Sequence, residues 1–224
     1  MKIAELFYSL QGEGALVGVP SVFVRTSGCN LRCRWCDTPY TSWRPEGSDW
    51  PIERIVSEAC AHPARHVVVT GGEPMIAPGI IELTQRLREA GMHITIETAG
   101  TVFQPVACDL MSISPKLANS TPAGDPWEQR HERLRIQPDT LRELMAQYEY
   151  QLKFVIAEAA DLEEVRSLLA ALNANRERVV LMPEGTDRER LRERALWIAE
   201  ACKQEGFRFS PRLHVDLWGD RRGV

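Results

Sequence analysis

Three cysteines fall close together in Gly28-Cys29-Asn30-Leu31-Arg32-Cys33-Arg34-Trp35-Cys36-Asp37-Thr38, spaced by three and then two residues. A single loop with that spacing can wrap three thiolates around one inorganic centre. Structural zinc normally takes four protein ligands, and no nearby Cys or His supplies the fourth. An iron–sulfur cube also takes four, usually all Cys. With three from the chain, one iron is left open to a small molecule. On spacing alone, a zinc site borrowing a distant His, or a set of ordinary buried thiols, are the alternatives. Cys60, Cys108 and Cys202 are scattered singly and read as packing thiols.

Other residues offer chemistry around that loop. Gly71-Gly72-Glu73-Pro74 follows a strand-like run, and paired glycines let a backbone come close to a ligand. Read bare, the same tetrapeptide is a routine strand terminator. Leu10-Gln11-Gly12-Glu13-Gly14 puts an amide and a carboxylate on a glycine-flexed loop, or else forms a solvated turn. Arg25 lies within an otherwise apolar run. A buried guanidinium needs a partner, and its fork matches a ligand carboxylate; a structural ion pair is the alternative.

The elements that must position these groups alternate. Strand-like apolar runs occupy 21–26, 66–70, 93–97, 109–113, 151–156, 178–182 and 212–216, rich in Val, Ile and Phe, as in strands covered on both faces. Helical patterns occupy 51–61, 78–90, 138–148, 161–172 and 187–204. Leu162, Val165, Leu168, Leu169 and Leu172 give an amphipathic stripe, and Pro51, Pro78 and Pro138 sit at helix starts, where a missing N–H costs nothing. The alternation predicts an α/β protein with a mostly parallel sheet. A complete eight-unit barrel takes roughly 250 residues, so a chain of 224 is expected to form a partial, open TIM-like barrel, one compact domain over 1–224. The polar stretch between 113 and 138 is expected to be a loop over the sheet's end. Ligands of open α/β sheets bind outside the carboxyl ends of the strands, where these motifs fall.

Composition excludes several classes. With 44% hydrophobic and 26% charged residues and a net charge of −4, the chain lacks the basic excess of a nucleic-acid binder. No apolar run is long enough for a transmembrane helix, and the N-terminus does not read as a signal peptide. A cytoplasmic location is therefore expected, with no membrane or nucleic-acid partner. Thiols stay reduced there, which favours metal binding over disulfides.

The three-then-two cysteine spacing with Trp35 before the last cysteine, followed one strand later by Gly71-Gly72-Glu73-Pro74, resembles the radical S-adenosylmethionine (SAM) superfamily. Within it, Leu10–Gly14, Phe23-Val24-Arg25-Thr26-Ser27-Gly28-Cys29, Cys36-Asp37-Thr38, Thr70–Pro74, Ile96-Glu97-Thr98-Ala99-Gly100 and Ser114-Pro115-Lys116 are similar to the 7-carboxy-7-deazaguanine synthase (QueE) family. Leu181-Met182-Pro183 and Leu217-Trp218-Gly219 match less sharply. The resemblance implies the radical SAM partial barrel and a lyase that converts 6-carboxy-5,6,7,8-tetrahydropterin to 7-carboxy-7-deazaguanine with loss of ammonia, toward queuosine and other 7-deazapurines. It implies three cofactors: a [4Fe–4S] cluster, SAM and Mg²⁺. Reductive cleavage of SAM would give a 5′-deoxyadenosyl radical that takes hydrogen from C6 of the pterin, SAM being regenerated at each turnover.

Residue roles follow from the same resemblance. Cys29, Cys33 and Cys36 would hold the cluster, and Thr38 would hold Mg²⁺, which prefers hard oxygens and keeps several waters. Trp35, Asp37, Gly71, Gly72, Glu73, Glu97, Ser114, Pro115 and Lys116 would meet SAM. Leu10, Gln11, Gly12, Glu13, Arg25, Thr70 and His214 would meet the pterin. No protein general base is assigned, because the cofactors carry the hard chemistry. A flavodoxin- or ferredoxin-type electron donor and a homodimer are implied as partners. An activating enzyme for a glycyl-radical protein, and a zinc-binding adaptor without catalysis, are the rival functions.

Overall fold

In the computed structural model, which describes residues 1–224, the inner strands share one two-residue rhythm. Val22 and Val24 of β2 (Pro20–Thr26), Val67 and Val69 of β4 (His66–Gly71), and Ile94 and Ile96 of β5 (His93–Thr98) point into a common apolar core. Met111 and Ile113 of β6 (Leu110–Ile113), Leu152, Phe154 and Ile156 of β7 (Tyr150–Ile156), and Val179 and Leu181 of β8 (Val179–Pro183) continue it. Successive strand residues face opposite ways, so the residues between them line the other face. Phe23, Arg25, Thr70, Glu97 and Lys153 all stand on that inner face and line a cavity. The outer face is covered by α1 (Ile52–Cys60), α2 (Ile80–Glu89), α4 (Pro138–Gln147), α5 (Asp161–Leu172) and α6 (Arg188–Glu205). Each contributes buried apolar side chains to the same core.

With β1 (Lys2–Leu10), β3 (Ser48–Asp49) and β9 (Arg208–Phe209) added, one nine-stranded sheet runs in the order β3-β1-β2-β4-β5-β6-β7-β8-β9. The strands from β2 onward pair in parallel. Two antiparallel strands, β1 and β3, extend the edge beside β2, and β9 ends the other side. The edges β3 and β9 do not pair, so the barrel is open. No helix is long and apolar enough to cross a membrane.

Two expectations are corrected. Residues 212–216 are not a strand but the start of a short helix, α7 (Leu213–Trp218). The alternation of Leu213, Val215 and Leu217 suggests a strand, but the segment pairs with no strand of the sheet. The Leu213 N–H instead donates to the Gly12 carbonyl at 2.9 Å. The expected loop between 113 and 138 contains α3 (Glu128–Arg135), whose only buried side chain is His131. α3 attaches through polar bonds rather than an apolar stripe: His131 Nδ1 accepts from the Arg32 N–H at 3.2 Å, and His131 Nε2 lies 2.9 Å from Ser120 Oγ. β1 lies outside the sequence expectation altogether. Apart from Ile3 its residues are only partly buried or exposed, so it shows little contrast between its two faces.

Candidate active site

A cavity of about 610 Å³ opens at the carboxyl ends of the parallel strands. Every residue singled out above for a chemical role lines it except Glu73 and Pro115. Pro115 is buried beside the lining residues Ser114 and Lys116. Glu73 is fully buried behind the wall, with both oxygens committed to the fold. Its Oε1 accepts from the Met75 N–H at 3.1 Å and from Thr98 Oγ1 at 2.8 Å, and its Oε2 accepts from the Ala99 N–H at 2.8 Å. The side chain thus fastens the glycine turn to the end of β5 instead of reaching a ligand. Burial, the largest influence, pushes its carboxyl above the ordinary value despite these donors.

The cysteine loop leaves β2 and is stitched to the glycine turn by backbone. The Gly28 N–H donates to the Thr41 carbonyl at 2.8 Å, and the Glu73 N–H donates to the Gly28 carbonyl at 2.9 Å. A Cβ on Gly72 would lie 2.2 Å from the Gly28 carbonyl oxygen, so this glycine is required by the loop's close approach. Within the loop, Trp43 Nε1 donates to the Cys33 carbonyl at 3.0 Å, and Arg32 Nη1 donates to the Cys29 carbonyl at 2.8 Å. Burial pushes the Cys29 and Cys33 thiols up to about 12. Such thiols become ligands when a bound cation displaces their protons. Cys29, Cys33 and Cys36 all line the cavity, so the loop presents three thiols to one space. They would hold an iron–sulfur cube, which takes four ligands, and so leave one ligand position to a small molecule.

Thr38 follows the last cysteine. Its Oγ1 lies 3.8 Å from Cys36 Sγ and accepts a 3.3 Å bond from Thr41 Oγ1. A hard oxygen with lone-pair capacity left, beside open cavity, fits a heavily hydrated Mg²⁺ with one protein ligand. Lys116 Nζ donates to Ser114 Oγ at 2.8 Å and lies 5.7 Å from the centre of the Trp35 ring. Trp35 Nε1 donates to the Asn119 carbonyl at 3.0 Å. Glu97 Oε2 accepts from Ser112 Oγ at 3.0 Å, while its Oε1 is buried with no partner. A buried acceptor left open in a cavity wall calls for a donor from outside the chain, and the hydroxyls of SAM fit it.

The loop between β1 and β2 is folded into the same cavity by its glycines. Gly14 adopts φ +71 and abuts the Gln151 side chain; its N–H donates to Ser210 Oγ at 2.7 Å. A Cβ on Gly12 would lie 2.1 Å from His214 Nδ1. His214 stands on α7 rather than on a strand. Burial, the largest influence, holds its imidazole below the ordinary value and favours the neutral form. Arg25 Nε donates to Glu5 Oε1 at 2.5 Å, so part of the guanidinium is a structural ion pair, but its two terminal nitrogens have no partner in the chain. Phe7 and Phe23 stack at 4.9 Å and give the cavity a flat apolar wall.

Sequence reading missed two central cations. Lys153 donates to Glu13 Oε2 at 2.5 Å and to Glu97 Oε2 at 3.0 Å. Arg212 donates to Glu13 Oε1 at 3.2 Å, to the Gly185 carbonyl at 2.6 Å and to Asp37. Burial opposes the charge of all three groups, yet Glu13 is held well below the carboxylate range, and Lys153 and Arg212 are held above their ordinary values by these partners. Asp37 is accordingly engaged by Arg212. The one available signal was a lysine amid the apolar residues Leu152, Phe154, Val155 and Ile156 of β7.

The sequence profile of the radical SAM superfamily matches residues 23–119, the span that holds the cysteine loop, the glycine turn and the ends of β4, β5 and β6. The chain is 47% identical to a 7-carboxy-7-deazaguanine synthase of Halobacterium salinarum, over 98% of this chain and 91% of that one. It is 44% identical to a synthase of the same name from Rhodopirellula baltica, over 99% of this chain and 88% of that one. The crystal structure of QueE from Escherichia coli superposes with a TM-score of 0.70 at 28% identity, covering 95% of this chain and 94% of that one. With near-complete coverage at this identity, the chain belongs to the 7-carboxy-7-deazaguanine synthase family of radical SAM enzymes.

Proposed function

We propose that this chain converts 6-carboxy-5,6,7,8-tetrahydropterin to 7-carboxy-7-deazaguanine with loss of ammonia, using a [4Fe–4S] cluster, SAM and Mg²⁺. One observation carries the reading: the Gln11–Glu13 loop and the three-cysteine loop are folded into the same 610 Å³ cavity, so a small planar substrate fits between them. When bound, the cluster and SAM supply the one-electron chemistry that starts the ring contraction. The chain's own residues bind and orient. Cys29, Cys33 and Cys36 hold the cluster, and Trp35, Gly71, Gly72, Glu97, Ser114 and Lys116 line the place for SAM.

Glu13, held ionised, accepts from the guanidine-like edge of the pterin. The free terminal nitrogens of Arg25 take its carboxylate as a fork. Thr38 places Mg²⁺ beside that carboxylate. Phe7 and Phe23 wall the ring, and neutral His214 and Thr70 complete the pocket. A small electron carrier of the flavodoxin or ferredoxin type is the proposed reductant, and a homodimer the proposed assembly.

The test is anaerobic incubation of the reconstituted protein with SAM, reductant, Mg²⁺ and the carboxypterin, followed by mass spectrometry. The expected product is 7-carboxy-7-deazaguanine. Cluster-loaded protein that cleaves SAM but leaves the pterin unchanged would overturn the assignment.

A further inference from the structure

Lys153 is 4% exposed and stands at the middle of β7. An unpaired ammonium would be costly there. Its two partners belong to different parts of the cavity. Glu13 comes from the loop assigned to the pterin, and Glu97 from the end of β5 on the side assigned to SAM. The register explains the meeting: Glu97 lies opposite Ser112, and Ser112 opposite Gln151, so Lys153 projects two residues further along the same inner face. Gln151 donates to Ser112 Oγ at 2.8 Å and accepts from the Ala15 N–H at 2.8 Å, which brings the Glu13 loop down onto this polar row. Three carboxylates (Glu13, Glu97 and Asp37) thus share two cations, Lys153 and Arg212. Lys153 is the only one of the two that reaches Glu97.

We infer that Lys153 is a positioning residue for both ligands: one ammonium fixes the acceptor that meets the pterin and the acceptor that meets SAM. This rests on the placement of the two ligands proposed above. Without Lys153, Glu97 keeps only the neutral Ser112 hydroxyl, and Glu13 keeps only Arg212. The two carboxylates then lose the one cation that links them.

The test compares wild type with Lys153→Met and Lys153→Gln, the second retaining a hydrogen-bond donor where the first fails to fold. SAM affinity is measured by calorimetry on cluster-loaded protein, which needs no turnover and so is independent of the identity of the pterin. The pterin KM and kcat are measured separately. Both variants are expected to weaken SAM and to raise the pterin KM by about tenfold each, with a smaller change in kcat. In a Glu97→Gln background the substitution should no longer affect SAM, and in a Glu13→Gln background it should no longer affect the pterin. A lowered melting temperature with both affinities unchanged, or a loss confined to one ligand, would overturn the inference. A wild-type protein that binds SAM normally but makes no deazaguanine would instead refute the proposed function.

Discussion

Replacing Gly72 by alanine isolates the contact between the glycine turn and the cysteine loop. Gly72 does not have a positive φ, so the substitution adds no backbone strain of its own. The new methyl would meet the Gly28 carbonyl oxygen at 2.2 Å and the Thr41 carbonyl oxygen at 2.7 Å. Both are backbone atoms, and no rotamer can move them. Relief requires the cysteine loop to retreat until those contacts exceed 3.0 Å. That retreat stretches the Glu73-to-Gly28 bond of 2.9 Å and the Gly28-to-Thr41 bond of 2.8 Å. Two weakened hydrogen bonds at about 1 kcal/mol each, with overpacking of at least about 1 kcal/mol, give a loss near 3 kcal/mol. For a domain of this size that lowers the melting temperature by roughly 6–12 °C.

The same movement displaces Cys29, so iron content after anaerobic reconstitution should fall together with stability. Gly124→Ala is the control. Its φ is +78 with nothing within 4 Å of a new Cβ, so it should cost about 1–2 kcal/mol of backbone strain and leave iron unchanged. A Gly72→Ala protein with full iron content and an unshifted melting temperature would show that the loop is not held as described.

Further outcomes follow from the same geometry. Glu73→Gln turns one acceptor oxygen into a donor that faces existing donors, and should lose about 2 kcal/mol or more in urea titration; an unchanged midpoint would refute the fastening role. Thr38→Val should raise the Mg²⁺ concentration for half-maximal turnover by about tenfold while leaving iron content intact, and an unaltered magnesium dependence would remove Thr38 from the site. His66, His131 and His214 are all held below the ordinary histidine value, burial being the largest cause. Their neutral forms therefore favour the fold, and stability should fall as pH drops below about 6.5. Glu13, held low, adds its loss only below about pH 4, and Lys153, held high, only above about pH 10. Cys29 and Cys33, pushed up by burial, stay protonated in the fold while the unfolded thiols ionise, so melting temperature should also fall above about pH 8.5; a melting temperature still rising from about pH 8 to 9.5 would contradict this.

The sequence was most legible where chemistry and periodicity coincide. The apolar runs at 66–70 and 93–97 became β4 and β5 with ends shifted by one residue, because their buried valines and isoleucines alternate on one face. The cysteine loop was legible from spacing, which the backbone must respect to frame one centre. What stayed hidden depends on distant partners. Lys153 reads as one lysine in an apolar strand until the Glu13 loop is seen folded onto it, 140 residues away in the chain. Arg212 and His214 looked like strand residues, because nothing local says that Leu213 pairs with Gly12. Glu73 looked like a ligand residue from its place after two glycines, but its carboxyl turns inward to three donors. α3 escaped notice because Glu128–Arg135 has almost no apolar stripe, and its attachment through His131 is polar.

The gap between β9 and the β1 side of the open sheet is bridged by Ser210 on Gly14, by Leu213 on Gly12 and by Arg212 on Glu13. Ser210 and Gly14 are separated by 196 residues. During synthesis, the cysteine loop, the glycine turn and the strands around them therefore emerge long before the segment that seals the gap. A nascent or truncated chain ending before Ser210 has its thiol loop without the side wall that Arg212 and His214 supply. Arg212 and His214, which line that side of the cavity, are therefore among the last groups added to it.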